Sequence, residues 1–182
     1  GTNALAAISI NETILQLMMV LFMGSANACV VVIAKSIGKG DLKKTIRYAR
    51  DFHIIGAAAG IITALLSLNV IFFIPVFFNV PAEVMKWTVN LILINAAVFP
   101  FKIFNIHNIV GIFRGGGDTK TAFYIEIISV WLIGVPAAFF TAFYLRMPVY
   151  LVFMFINFEE VFKALISVKR LVSGKWIHDL TQ

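Results

Sequence analysis

The chain has 182 residues, 60% of them apolar and 13% charged, with a mean hydropathy of +0.94 and a formal net charge of +6. A soluble domain devotes roughly a quarter of its residues to charge, so this composition excludes a water-facing globule and points to lipid as the solvent. A single cysteine, Cys29, excludes an intrachain disulfide or a cysteine metal cluster and reads as a small core thiol.

Crossing about 30 Å of hydrocarbon takes about 20 apolar residues in a helix. Blocks of that kind predict five transmembrane helices, at about 5–34, 52–78, 84–113, 121–145 and 149–171. The fold class is therefore an all-α, polytopic transmembrane helix bundle. The chain opens Gly1-Thr2-Asn3 with no cleavable signal pattern, so a stretch of a longer polypeptide is expected.

In the first span Glu12, Gln16, Met23 and Asn27 fall within about 60° of one face at 100° per residue, a stripe suited to a cavity wall. The loop after it, Ser36-Ile37-Gly38-Lys39-Gly40-Asp41, supplies two glycines for a turn and Asp41 as an N-cap. A short amphipathic segment is expected at 42–50, with Leu42, Ile46 and Ala49 on one side and Lys43, Lys44 and Arg47 available to headgroups.

In the third span Asn95, Lys102 and Asn105 share about 80° of one face beside Pro100. That pattern fits a cavity wall or polar glue between helices. His107 points away from it and reads as a satisfied structural histidine. The next loop, Arg114-Gly115-Gly116-Gly117-Asp118-Thr119, repeats the glycine-aspartate chemistry as a flexible turn with an aspartate cap or a hinge. Neither loop matches the phosphate-cradling pattern GxxxxGK followed by Ser or Thr.

Pro81 and Pro148 open spans, where a missing N–H costs little. Pro100 and Pro136 lie inside spans and each frees a carbonyl in the preceding turn. They are candidates for plain kinks or for hinges of the broken-helix kind found in transporters.

Ionisable groups inside the spans carry the most information. Glu126 lies toward the loop end of the fourth span, with Ser129 near it. Glu159 and Glu160 lie near the middle of the fifth, where each would cost about 2.5–3.5 kcal/mol if ionised and turned to lipid. Lys163 follows them by four and three residues, within reach of an ion pair. One lysine neutralises one carboxylate, so the other is expected to be protonated or paired with a second helix. Two such carboxyls can exchange a proton for a metal ion. Glu159, Glu160 and Glu126 are thus the ion- or proton-binding candidates, with no firm metal site. Lys102, Asn105, Asn95, Glu12, Gln16 and Asn27 are the cavity-lining candidates.

Basic residues are partitioned. Eleven flank the first and third loops and the C-terminus; only Lys86 and Arg146 lie on the alternate side. Counted over short loops, this bias places the first group and the C-terminus in the cytoplasm. The charge sets topology and forms no nucleic-acid patch.

The ordered set Gly1-Thr2-Asn3-Ala4-Leu5-Ala6-Ala7, Ile37-Gly38-Lys39-Gly40-Asp41, Gly111-Ile112-Phe113-Arg114-Gly115-Gly116-Gly117-Asp118-Thr119 and Gly174-Lys175-Trp176 resembles the C-terminal lobe of multidrug and toxic compound extrusion (MATE) transporters. The stretches Phe99-Pro100-Phe101-Lys102, Trp131-Leu132-Ile133-Gly134-Val135-Pro136 and Glu159-Glu160 resemble a bacterial branch of that family. The resemblance covers essentially all of 1–182. It implies a twelve-helix protein of two six-helix lobes, of which this chain would hold the last five helices, with the N-terminal lobe and the first helix of its own lobe outside it.

The resemblance also implies a multi-pass protein of the bacterial inner (plasma) membrane. Such a protein exports small organic, often cationic, compounds by alternating access in exchange for Na⁺ or H⁺, with no other cofactor. Some members bind the coupling cation with acids on the seventh and tenth helices. Near that position on the tenth, this chain has Lys102 and Ile103, so the family's ion site does not carry over.

Two other readings belong to different classes. A lipid-linked saccharide flippase of the same superfamily would want several cations for a pyrophosphate, and Lys102 is the one span-interior cation without a local partner in the sequence. A non-transporting membrane assembly subunit would leave the buried carboxylates without a purpose. An enzyme is not expected, since HExxH, GxSxG and paired metal-ligand spacings are absent.

Overall fold

A computed structural model describes residues 2–178; Gly1, which opens the first family-like stretch, lies outside the described residues. The described residues are helical almost throughout. The long helix α1 spans Thr2–Gly38 and α2 spans Leu42–Val70. Between them Gly40 takes φ +71°, a left-handed value that suits a residue without Cβ. Asp41 caps α2 as its position suggests, its side chain accepting the Lys44 N–H at 3.1 Å.

The expected separate segment at 42–50 does not exist. Nothing in Arg50-Asp51-Phe52 breaks a helix, so the basic stretch is simply the opening turns of α2. That helix ends at Val70, earlier than the expected 78, and a turn leads to the one-turn helix α3, Ile74–Phe77, with Pro75 in its opening turn.

Helix α4, Ala82–Asn105, starts after Pro81 and runs on as a π-helical stretch, Ile106–Phe113. Pro100 sits inside α4 with α2 pressed against it: a Cβ on Gly60 would stand 2.7 Å from the Pro100 Cα. The next rod comprises α5 (Thr119–Ser129), a π turn (Val130–Gly134), α6 (Val135–Phe139) and a second π turn (Phe140–Tyr144). Pro136 follows the first of these π turns, so the wider turn lies where the missing N–H frees a carbonyl.

The last expected span, 149–171, is broken. It comprises α7, Val149–Ile156, and α8, Phe158–Val172, with the turn at Asn157. Among the described residues four helical rods are therefore long and apolar enough to cross a membrane unaided: Thr2–Gly38, Leu42–Val70, Ala82–Phe113 and Thr119–Tyr144. The outer surface carries large apolar side chains such as Phe72, Val76, Phe77, Phe143 and Leu165, the reverse of a water-soluble fold.

Two buried clusters mark opposite ends. At one, Ile33, Ile37, Ala49, Phe113, Ala122 and Trp176 bring together both interhelix loops and the C-terminal segment. At the other, Ala7, Ile10, Val84 and Leu91 gather the starts of α1 and α4, with Tyr150 and Phe153 of α7 packed on them. The basic loops and the tail thus share one end, the arrangement the charge bias requires.

Candidate functional site

The break at Asn157 positions the central chemistry. The Asn157 side chain turns back and donates to the Phe153 carbonyl at 2.8 Å, and α8 restarts at Phe158. Glu159 and Glu160 consequently lie in the first turn of a helix, where the unpaired N–H groups and the helix dipole favour negative charge. One turn further on, Lys163 is almost fully buried.

Three carboxylates converge on that lysine. Its Nζ lies 3.1 Å from Glu159 Oε1, 3.2 Å from Glu126 Oε2 on α5 and 3.5 Å from Glu160 Oε1. Side-chain exposure falls from 38% at Glu126 to 14% at both neighbouring glutamates and 6% at Lys163. The sequence suggested a lysine serving one of the two adjacent acids; it bridges both and a third from another helix.

Asn105, at the end of α4, fixes the orientation of Glu160. Its Nδ2 donates at 2.8 Å to the Glu160 carbonyl and at 2.8 Å to Glu160 Oε2. Both partners are acceptors, so the amide orientation is determined. Its Oδ1 is left buried without a hydrogen-bond partner, as is the Ser129 hydroxyl. Gly134 supplies room for the other acid: a Cβ there would stand 2.6 Å from Glu159 Oε2.

The cluster opens onto a cleft of about 250 Å³. Lys102, Asn105, Glu126, Glu160 and Lys163 form its polar side, and Leu15, Met19 and Ile106 its apolar wall. The Lys102 ammonium lies 5.7 Å above the Phe153 ring, within the range of a cation–π contact. Among the described residues no group of three His, Cys, Asp or Glu is disposed to hold a metal ion. The ammonium of Lys163 stands where such an ion would sit.

The other expected residues are placed as follows. Glu12 is half-buried on α1, on the same side as the cleft-lining Met19, while Gln16 and Asn27 continue that stripe as exposed residues. Asn95 does not line the cleft. It is buried against α1, donating through Nδ2 to Asn11 Oδ1 at 2.7 Å, which is polar glue of the kind membrane helices use. His107 is fully buried and bonded, with Nδ1 2.9 Å from the Ile103 carbonyl and Nε2 2.8 Å from Ser25 Oγ.

The glycine loop at 114–118 differs from a flexible capped turn. Arg114 and Gly115 are helical, and Gly116 is packed under Trp176, where a Cβ would stand 2.5 Å from the indole. Gly117 bridges to Ile177, and the His178 N–H donates to the Gly116 carbonyl at 2.8 Å. Asp118 precedes α5 without capping it, because its buried carboxylate instead accepts from Arg170 Nε at 2.7 Å. Burial alone would raise that carboxyl; the hydrogen bond and charge of Arg170, with His178 nearby, hold it below the usual carboxylate range.

Asn11 and Asn157 were not singled out by the sequence; Gly134 entered only within a family-like stretch and Arg170 only as one of the basic residues that set topology. For Asn157 a signal existed: Asn157-Phe158-Glu159-Glu160 has the form of a helix start, an Asn with a Glu three residues on. The others are recognisable only through partners more than 20 residues away or on another helix.

Comparison with known proteins agrees with this architecture. The chain is 31% identical over 143 residues to a protein described as probable multidrug resistance protein NorM, from Mannheimia succiniciproducens, an alignment covering 76% of this chain and 30% of that relative. The chain thus matches under a third of the relative's length. The MatE family model matches residues 1–140, most of the helical bundle. A polytopic all-helical chain with this match over more than three quarters of its length belongs to the MatE family of membrane transporters.

Proposed function

We propose that this chain forms the C-terminal lobe of a secondary-active exporter of small organic, often cationic, compounds, driven by exchange for H⁺ or Na⁺. Family membership and the multidrug resistance named for the relative support the export reading. The short match to that relative supports placing a second lobe and a further helix elsewhere in the same polypeptide. Two lobes rocking about a shared cavity would give alternating access. The protein would sit in a bacterial inner membrane with its basic end in the cytoplasm.

The observation that carries the coupling part is the convergence of Glu126, Glu159 and Glu160 on one buried ammonium beside an open cleft. Three carboxylates and one lysine leave excess negative charge that Lys102, across the cleft, only partly offsets. An incoming ion shifts a conformational equilibrium only if it binds one state better, and a site that changes its exposure between states would do so. Of the two ions, the geometry favours the proton. A metal ion would have to displace the Lys163 ammonium, whereas a proton needs only a carboxylate oxygen. Glu160, held by Asn105 in the cleft wall, is the best placed.

Dye export from cells carrying the full-length gene tests both parts. Export driven by an imposed pH gradient, and its loss in Glu160→Gln at normal protein level, is the expected result. A Glu160→Gln protein exporting at the wild-type rate at every pH and sodium concentration would remove that carboxylate from coupling. Cells that export no dye or drug with the intact gene would remove the exporter reading itself.

A further inference from the structure

A second cavity lies at the basic end of the bundle, away from the carboxylates, and the export reading does not use it. It has a volume of about 410 Å³ and straddles the turn between α1 and α2, within the size range of ligand pockets. Two side-chain pairs face each other across it. Lys35 comes from the last turn of α1 and Lys39 from the turn that follows it; Lys44 and Tyr48, four apart, come from the first turns of α2. Residues four apart on a helix project from the same face, so Lys44 and Tyr48 present two polar tips to the space that Lys35 and Lys39 line from the other side of the turn.

The walls are fastened at their base. The Ser36 hydroxyl, buried, accepts from Thr45 Oγ1 at 2.9 Å and donates to the Asp41 carbonyl at 3.3 Å. Asp41 offsets one lysine through its 2.9 Å contact with Lys44. Among the described residues neither Lys35 nor Lys39 has a carboxylate within salt-bridge distance, so the cavity keeps two positive charges over. Charge bias for topology needs only a count of basic residues; it does not require two facing pairs with a tyrosine hydroxyl around a fastened cavity.

We propose that this cavity binds the phosphodiester headgroup of an anionic phospholipid, with Lys35, Lys39 and Lys44 around the phosphate and Tyr48 as a hydrogen-bonding partner. Lipid, rather than a soluble phosphate ester, is favoured by position. Val32 lines the cavity, and Val31, Leu42 and Ile46 stand exposed beside it at the ends of two membrane-crossing helices. A lipid seated there lays its acyl chains along those residues. Juxtamembrane lysines are attracted to anionic lipid in the same way, by charge within a Debye length.

The test is native mass spectrometry of the detergent-purified protein titrated with phosphatidylglycerol, phosphatidylcholine or glycerol phosphate. Retention of phosphatidylglycerol alone is expected. Lys35→Gln/Lys39→Gln/Lys44→Gln is expected to weaken it roughly a hundredfold, about fivefold for each lysine. The equally neutralised Lys120→Gln/Lys169→Gln/Lys175→Gln is expected to retain it. The site variant still leaves eight of the eleven basic residues on that end against two on the other, so insertion is preserved. Tyr48→Phe, which removes only a hydroxyl, is expected to weaken binding severalfold with helicity unchanged. Equal weakening by both triple variants, equal retention of phosphatidylcholine, or displacement of the lipid by equimolar glycerol phosphate would each overturn the proposal.

Discussion

Gly134 faces Glu159 so closely that a methyl group at its Cα would stand 2.6 Å from the carboxylate Oε2. The obstacle is the far end of a flexible side chain, which can swing away at small cost. Gly60 presents a different case, since its missing methyl would meet the Pro100 backbone at 2.7 Å, and backbone cannot yield.

Gly134→Ala is therefore expected to fold nearly as well as wild type while dislodging Glu159 from Lys163 and shifting the pH profile of dye export. Gly60→Ala is expected to lose about 1–3 kcal/mol, the usual cost of overpacking. Thermal unfolding in detergent, read alongside export, separates the two. An unchanged pH profile in a folded Gly134→Ala protein would mean that the position of Glu159 does not matter to transport.

Lys163 and Glu126 should respond unequally. Lys163→Gln leaves three carboxylates around an uncharged side chain, and loss of one partner of a buried ion pair costs about 3–5 kcal/mol. Glu126→Gln removes the most exposed of the three and leaves Lys163 with two acids, so about 1 kcal/mol or less is expected. Adding Glu159→Gln to Lys163→Gln should recover part of the stability. A lysine variant as stable as wild type would mean the acids are already neutral in the resting protein.

Asp118 and Arg170 give a pH signature at the basic end. With its folded pKa held below the unfolded value, Asp118 contributes stability above the unfolded pKa, and that contribution is lost as pH falls through the lower folded value. Wild-type unfolding temperature should thus be insensitive to this group down to about pH 4. In Arg170→Gln, burial is opposed only by the Thr121 hydrogen bond and the nearby His178, so the decline should begin at higher pH and the tail segment should open to proteolysis. Parallel pH curves for the two proteins would contradict this.

Asn11 and Asn95 form a single 2.7 Å bond, with Asn11 Nδ2 and Asn95 Oδ1 buried and unpartnered. Asn95→Leu newly strands Asn11 Oδ1 beside the already unpartnered Nδ2, at about 1–3 kcal/mol. The double substitution Asn11→Leu/Asn95→Leu removes every stranded atom and should be close to neutral. A double variant no better than the sum of the singles would indicate that water or another group occupies the space between them.

The distribution of oil and charge along the chain determined the membrane class, the first, third and fourth helical rods to within a few residues, and the common end of both glycine loops and the tail. These properties are local: the length of an apolar run and the sign of its flanks depend on no distant residue. The pairing of Glu159 and Glu160 with Lys163 was legible for the same reason, since helical spacing alone brings them within reach. Tertiary structure decided the rest. That Glu126 is the third partner, that Asn105 holds Glu160, and that Asn95 belongs to Asn11 and not to the cleft all depend on which helix faces lie against one another. The same holds for Asp118, where a cap and a clasp compete for one carboxylate. The clasp holds because Arg170, 52 residues away along the chain, is brought within 2.7 Å by packing.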